Sequence, residues 1–168
     1  YLEDRYLAVW QKVTDKDISA VSAINNGVMG LITPNVTATE KCFTAYYNKN
    51  TLVLTPEIIG HRGIPSQSQE NSLEGAKRAF EVGATMVECD IYLMVDKNIV
   101  IMHDSTLDRT TNGSGKTAEQ TAQSITKYQI DSKTGVDPEP IPLLKDFFEE
   151  FKGTDKVIVV ELKSSDTN

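Results

Sequence analysis

Histidine, cysteine and tryptophan are scarce in this chain of 168 residues, which contains two, two and one of them. Two cysteines provide no framework of disulfides, and Cys89 lies in an apolar, strand-like run, so we expect a buried small hydrophobic residue there and no disulfide. Basic residues are also few, at 17 Lys and Arg against 24 Asp and Glu. The net charge of -7 argues against sequence-independent binding to nucleic acid phosphates.

Long apolar runs are absent as well. No run reaches the ~18 to 20 residues that a membrane span requires, and no basic-then-apolar signal segment opens the sequence. The chain begins with Tyr1 and not with Met, which indicates a piece of a longer protein. Its 168 residues correspond to about one domain with a real core.

Strand-like and helix-like segments alternate along the chain. The firmest helix prediction covers residues 71–83, with Asn71 as the N-terminal cap, Glu74 three residues later and Gly83 at the end. Other helices are predicted over 14–27, 119–127 and 142–153, and strands over 6–13, 28–33, 51–60, 84–104 (two runs) and 156–163. Residues 34–50 favour a connector or a short helix. This order favours a mainly parallel α/β sheet or barrel whose site lies at the carboxyl edge.

Carboxylates occur on strands whose composition predicts burial. Glu88 and Asp90 project from one face of their strand, because side chains alternate between faces and the intervening residues are apolar. Glu161 and Lys163 share one side of the last predicted strand. Three close carboxylates repel strongly unless a cation sits among them, and hard oxygen ligands indicate Mg2+ or Ca2+.

The two histidines follow apolar runs, in "IGHRG" and "IMHDS". With ordinary pKa values of about 6.5, His61 and His103 are suited to general acid and base catalysis near neutral pH. Arg62 offers a planar guanidinium that matches a phosphate. A metal, an acid-base pair and an arginine together are typical of phosphodiester cleavage.

Each of these motifs alone also has an ordinary structural explanation. The Glu-x-Asp pair fits a salt bridge or a solvated edge, and His-Arg-Gly fits a turn whose glycine adopts an unusual backbone angle. His103-Asp104 fits a loop after a strand, Lys163 a surface charge, and Glu70-Asn71 a helix cap. Their occurrence together, in this order, favours one site.

The segment between Asp90 and Val100 is too short for a crossover helix. From the residues alone, the two flanking runs are therefore predicted to form a hairpin.

The joint pattern resembles a known family. "HRG", "ENS", "ECD", "MHD" followed by "LDRTTNGSG", then "IPLLKDF" and "VVELK" look like the amino-terminal half of a glycerophosphodiester phosphodiesterase domain, over residues 58–163. The resemblance implies a variant TIM barrel that hydrolyses glycerophosphodiesters to glycerol 3-phosphate and an alcohol with Ca2+ or Mg2+. It also implies that the runs around Asp90 and Val100 lie parallel without an intervening helix, in place of the hairpin. One departure is Ser72, where the family usually has Thr.

Carried over residue by residue, the resemblance implies roles for the candidates above. It makes His61 and His103 the catalytic pair, Arg62 and Lys163 ligands of the phosphate or substrate, and Glu70 a supporting residue. The implied metal ligands are Glu88, Asp90 and Glu161.

The first 35 residues resemble the end of the same family's barrel, with a tryptophan strand, a helix and "GVMGLIT". The match departs at an extra residue in "WQKVTD" and at Pro34, which replaces the usual Asp. The implied organisation is a barrel tail at 1–35, a connector at 36–56 and the head of a catalytic barrel at 57–168. This fits either tandem barrels or a permuted arrangement in which the tail closes against the head.

A complete TIM barrel takes about 250 residues, so we expect a partial, permuted or partner-completed barrel. Its exposed sheet edges favour pairing with a second copy or another partner chain. The expected partner of the site is a small-molecule glycerophosphodiester. A second hypothesis is a non-catalytic barrel remnant that serves binding or assembly. Within the enzyme class, related phospholipase D or phosphoinositide phospholipase C chemistry is the alternative.

Overall fold

The computed structural model describes residues 10–14, 17–46, 57–131 and 136–163. Its strands are β1 (Trp10–Lys12), β2 (Gly30–Thr33), β3 (Glu57–His61), β4 (Met86–Leu93), β5 (Ile99–Ile101), β6 (Gln129–Ile130), β7 (Glu139–Pro140) and β8 (Val157–Leu162). Its helices are α1 (Asp17–Asn25), α2 (Val36–Tyr46), α3 (Leu73–Glu81), α4 (Ala122–Ile125) and α5 (Leu144–Phe151). The predicted strand positions 6–9 and 51–56 lie outside the described residues.

One mainly parallel sheet organises the described part of the chain. β1, β2, β3 and β4 are neighbours in that order and all parallel, and β8 pairs in parallel with the other side of β4. Helices connect the parallel strands, as the alternating pattern predicted. The fold is therefore α/β and of the TIM-barrel type, with the described strands forming part of a barrel. The carboxyl ends of its parallel strands share one edge.

The hairpin between β4 and β5 corrects an expectation. β5 is antiparallel to the end of β4, with Ile91 opposite Ile101 and Leu93 opposite Ile99. The parallel arrangement implied by the family resemblance is thus wrong for these two runs, and the strand parallel to β4 is β8. The physical reason is length, since a tight turn closed by Lys97, with φ 67°, cannot hold a crossover.

The two faces of the parallel sheet differ in their covering. Leu31, Ile58, Val87 and Cys89 point to the face on which the helices pack, and they belong to one buried apolar cluster. This cluster includes Phe147 of α5 and alanines of α1 and α3. Cys89 is 1% exposed, so the prediction of a buried small hydrophobic residue is confirmed.

The opposite face carries the polar candidates, and we call it the site face. By strand register it presents Lys12, His61, Glu88, Asp90 and Glu161. Two apolar residues on this face are open to solvent, since Trp10 is 37% and Val157 45% exposed. The strand predicted over 156–163 forms, as β8, but the prediction that it is buried is wrong. In the part of the chain that the structure describes, β8 lies at an open edge of the sheet.

A second apolar cluster lies beyond the carboxyl edge. Its buried residues come from the end of β4, from β5 and from the segment that follows, and they include Tyr92, Met94, Met102, Leu107 and Ile125. The predicted helix over 119–127 is shorter than expected, because only Ala122–Ile125 is α-helical and a single 3-10 turn precedes it.

The helix α3 begins one residue later than predicted. Ser72 is its cap, since its side chain accepts a hydrogen bond from Gly75 N at 2.9 Å. Asn71 has φ 56° and bonds elsewhere, so its assignment as the cap is wrong. For residues 34–50, the helical alternative is the one observed, as α2. Among the described residues, none of the helices is both long and apolar enough to cross a bilayer.

Candidate active site

Three carboxylates meet where β4 and β8 run side by side. Asp90 pairs with Glu161 across the two strands, and Glu88 lies two residues earlier on the same face. Each of the three offers an oxygen that lies within 4.8 Å of the others. Glu88 and Asp90 are buried, whereas Glu161 is exposed. The prediction that these side chains share a face follows from strand alternation and agrees with this geometry.

The electrostatics of Glu88 fit a cation site. Burial and the neighbouring Asp90 raise the pKa of Glu88 to about 7. Its Oε2 accepts a hydrogen bond from the Arg62 backbone N–H at 2.9 Å, but its buried Oε1 has no hydrogen-bond partner within the described residues. A divalent cation would supply both the missing partner and the missing positive charge. The donor set therefore fits a hard divalent metal ion.

Asp90 is the most heavily contacted carboxylate. Asn71 Nδ2 donates to its Oδ2 at 2.8 Å, and Asp90 N donates back to Asn71 Oδ1 at 3.1 Å. Arg62 Nε lies 3.2 Å from Oδ2 and Lys163 Nζ lies 2.9 Å from Oδ1. Burial opposes ionisation, but these partners outweigh it and hold the pKa of Asp90 below its ordinary value. Lys163 also contacts Glu161.

His61 ends β3 beside this cluster. Its Nε2 lies 3.9 Å from Glu88 Oε2 and 2.7 Å from Lys12 Nζ. An ammonium group only donates hydrogen bonds, so Nε2 of His61 is the acceptor and the neutral ring carries its proton on Nδ1. Burial, Lys12 and Arg62 lower the pKa of His61 to about 4. The imidazole is neutral near pH 7 as a result.

His103 follows β5, and side chains hold its ring. Its Nδ1 lies 2.6 Å from Asp104 Oδ1. The partnership with Arg109 outweighs burial and holds the pKa of Asp104 well below its ordinary value. Because an ionised carboxylate only accepts, Nδ1 is the donor and Nε2 of the ring is left for other partners.

Arg109 links the two histidine segments. It donates to Asp104 through Nε at 2.5 Å and to Glu70 through Nη1 and Nη2 at 3.0 and 2.6 Å. Glu70 Oε1 also accepts from Arg62 Nη1 at 3.1 Å. A continuous chain of charged side chains thus runs from the loop of His103 to the residue after His61. Burial opposes ionisation of Glu70, but the two arginines outweigh it and lower its pKa.

The turn after His61 is specified by its glycine. Arg62 and Gly63 have φ values of 56° and 83°. A Cβ on Gly63 would lie 2.8 Å from the backbone carbon of Gly75, so only glycine fits against α3. The conformation also directs the Arg62 backbone N–H to Glu88. The prediction of a turn whose glycine adopts an unusual backbone angle is therefore confirmed, and this turn places the Arg62 N–H against Glu88.

The structure brings most of the predicted candidates together. Those in direct contact around the carboxylates are His61, Arg62, Glu70, Glu88, Asp90, Glu161 and Lys163. His103 is joined to them through Asp104 and Arg109. The sequence did not predict that Lys12, Asn71 and Arg109 contact the residues of this site. A signal existed for Arg109, which lies in the quoted "LDRTTNGSG", but none existed for Lys12.

A partial barrel with carboxylates, histidines and an arginine at the carboxyl edge of its strands defines a class of TIM-barrel phosphodiesterase-like proteins. Residues 61–168 match the model of the glycerophosphoryl diester phosphodiesterase family. The chain belongs to this family.

Similar proteins agree with this assignment. A glycerophosphodiester phosphodiesterase of Caldanaerobacter subterraneus subsp. tengcongensis is 38% identical over 109 residues, which are 64% of this chain and 45% of that protein. Human glycerophosphodiester phosphodiesterase 1 is 44% identical over 69 residues, or 41% of this chain and 21% of that protein. The chain thus spans less than half the length of these relatives.

Solved structures show the same fold. A glycerophosphodiester phosphodiesterase from Agrobacterium tumefaciens superposes with a TM-score of 0.60 at 29% identity, covering 64% of this chain and 47% of that one. An Oleispira antarctica phosphodiesterase was solved in complex with the product sn-glycerol-3-phosphate. It superposes with a TM-score of 0.59 at 32% identity, covering 64% of this chain and 44% of that one.

Proposed function

We propose that this chain carries the catalytic half of a metal-dependent glycerophosphodiester phosphodiesterase, which releases glycerol 3-phosphate and an alcohol. The observation that supports the proposal most directly is the group of three carboxylate oxygens within 4.8 Å beside His61 and Arg62. Family membership and the sn-glycerol-3-phosphate bound by the Oleispira relative favour this substrate class over other phosphodiesters.

Glu88, Asp90 and Glu161 are the residues proposed to hold the metal, which is Ca2+ or Mg2+. When bound, such an ion polarises the phosphoryl oxygens and offsets the negative charge that develops on them. Arg62 and Lys163 flank the same carboxylates, and their remaining donors are proposed to bind the phosphate. Glu70 keeps the Arg62 guanidinium in place.

The histidines are proposed to divide the proton transfers. In the first step, Lys12 releases its hydrogen bond to His61 Nε2, and this nitrogen takes the proton from the glycerol hydroxyl. The hydroxyl oxygen attacks phosphorus, and the bond from phosphorus to the alcohol breaks. His103 acts in its imidazolium form: Nδ1–H donates to Asp104, and Nε2 gives its proton to the departing alcohol. Water then opens the cyclic phosphate with the two roles exchanged.

The N-terminal segment is proposed to serve as the tail of the same barrel. Its support is the register, since β2 lies parallel to β3 with Thr33 beside Gly60, and β1 continues the sheet outward. This register supports the permuted arrangement, in which a tail closes against a head, over tandem barrels. The open site face beside Val157 is the surface that a second copy or further barrel strands would cover.

The test is release of glycerol 3-phosphate from glycerophosphocholine by the purified chain, with Ca2+, with Mg2+ and with a chelator, alongside its mass in solution. Metal-dependent release is expected, and the mass reports the assembly that is active. A folded chain that binds Ca2+ but releases nothing in any assembly would contradict the catalytic proposal. That outcome would favour the non-catalytic binding or assembly role.

A further inference from the structure

Lys12 comes from the N-terminal strand and reaches the proposed catalytic histidine. Its Nζ lies 2.7 Å from His61 Nε2, although 49 positions separate the two residues. Strand register explains the contact, because Lys12 is level with Ile32 and Ile59, and His61 follows two residues later on the same face. Lys12 lies outside the segment that matches the family model, which begins at residue 61.

Lys12 differs from the other cations of the site in the charge of the group it contacts. Within the described residues, Arg62, Arg109 and Lys163 each lie against two carboxylates. The contact of Lys12 is instead a neutral imidazole ring, which leaves its positive charge without a compensating carboxylate in that contact. Lys12 is also exposed on the site face, where substrate arrives.

An ammonium group has three donors, and one of them is directed to His61 Nε2. The other two are available to an anion held beside the ring, and the first becomes free as well when Nε2 takes the substrate proton, because that nitrogen has a single lone pair. The anion of the proposed reaction is the phosphate, which must lie within reach of His61 for proton transfer.

We propose that Lys12 is a substrate-binding residue, which donates a hydrogen bond to a non-bridging phosphate oxygen held between His61 and the carboxylate cluster. The inference rests on the proposed function and extends it, since it makes the N-terminal segment a contributor to the active site. In this arrangement the phosphate is bound by cations from both edges of the parallel sheet, Lys12 on β1 and Lys163 just after β8.

The test compares Lys12→Met, Lys12→Arg and the matched control Lys41→Met, which removes the same charge from the exposed surface of α2. Calorimetric titration with sn-glycerol 3-phosphate in Ca2+ buffer gives Kd, and steady-state hydrolysis of glycerophosphocholine gives KM and kcat. Emission of Trp10, the single tryptophan, checks that β1 stays in place. Trp10 lies over Gly30 on the same face as Lys12, so displacement of the strand would change its surroundings.

Lys12→Met is expected to raise Kd and KM about tenfold, which corresponds to ~1.4 kcal/mol, and to lower kcat less. Lys12→Arg should restore most of the affinity, and Lys41→Met should match the parent chain. Unchanged Kd and KM in Lys12→Met would overturn the inference, as would a fall in kcat alone.

Failure of the proposed function gives a different result. If the parent chain binds sn-glycerol 3-phosphate in a Lys12-dependent way without hydrolysing glycerophosphocholine, the anion site stands and the catalytic proposal falls. If the parent chain hydrolyses glycerophosphocholine and Lys12→Met behaves like it, the catalytic proposal stands and the inference falls.

Discussion

The segments around His61 and His103 hold their imidazole rings in different ways. His61 is the last residue of a central strand, packed between Lys12 and Glu88. His103 lies in a loop, and its ring is fixed by Asp104, which Arg109 fixes in turn. The sheet positions the first histidine, whereas a chain of charged side chains positions the second.

This difference determines which histidine can be displaced by mutation without disturbing the rest of the fold. The position of His61 depends on the packing of the whole sheet, so a change that moves it also perturbs the core. The position of His103 depends on exposed or half-buried ion pairs, which can be removed with the fold intact. The histidines remain coupled because Glu70 contacts both Arg62 and Arg109.

The largest effect is expected from the histidines themselves. His61→Ala and His103→Ala should each lower kcat for glycerophosphocholine by at least ~100-fold, because each removes one proton-transfer group. Neither change leaves a buried polar group unpaired in the core, so the unfolding temperature should change little. Retention of activity in both variants would refute the acid-base assignment.

The next largest effect is expected from Glu88, and it concerns the cation site without involving the His103 segment. Glu88→Gln should abolish the stabilisation by Ca2+, which in the parent chain reaches ~2.7 kcal/mol at a hundredfold excess over Kd. Without the ion, the variant should be at least as stable as the parent, because one of three neighbouring negative charges is gone.

Thermal unfolding with and without Ca2+ measures both quantities for Glu88→Gln. Glu149→Gln on the exposed surface of α5 is the matched control and should retain the full Ca2+ effect. Full Ca2+ stabilisation in Glu88→Gln would remove Glu88 from the proposed ligand set.

A smaller, selective effect is expected from Arg109→Met. Loss of its bonds to Asp104 and Glu70 should lower kcat by about 10- to 100-fold through misplacement of His103, with Ca2+ stabilisation retained. Arg109→Lys should not restore kcat, since lysine cannot make the paired contacts. Arg78→Met, which removes an exposed pair with Glu81, is the control. A kcat in Arg109→Met equal to that of the control would show that the network does not position His103.

The smallest effect concerns stability in acid. Arg109 lowers the folded-state pKa of Asp104 below its ordinary 3.8, so this carboxylate stabilises the fold above that pH and loses its contribution as pH falls through the folded value. Asp104→Asn should therefore be less stable than the parent chain near pH 6, and the difference should shrink below pH 3.8. Urea unfolding across this range tests the sign. A difference that is the same at all pH values would show that the ion pair does not stabilise the fold.

Local patterns predicted the part of the site that lies along single strands. Alternation placed Glu88 and Asp90 on one face, and the short connection after Asp90 indicated the hairpin that β4 and β5 form. The resemblance to a family misassigned that connection, since the parallel neighbour of β4 comes from Val157–Leu162, far along the chain.

Contacts between distant segments could not be predicted in the same way. Arg109 reaches Glu70 across 39 positions, and Lys12 reaches His61 across 49. The Lys12 contact requires knowledge of the strand register and the Arg109 contact requires the paths of two loops, and composition determines neither. The cap of α3 was misplaced by one residue because Asn71 and Ser72 are both good caps, and the choice between them depends on Asp90, which takes the Asn71 side chain.

The strand β4 also determines the order in which parts of the molecule unfold. It contributes Val87, Cys89 and Ile91 to the helix-covered cluster, and Tyr92, near its end, to the cluster beyond the edge. One continuous strand therefore traverses two cores, and neither core can lose its structure without disturbing the other. In hydrogen-deuterium exchange, the β4 amides should exchange last and through global unfolding alone, while those of β1 exchange first.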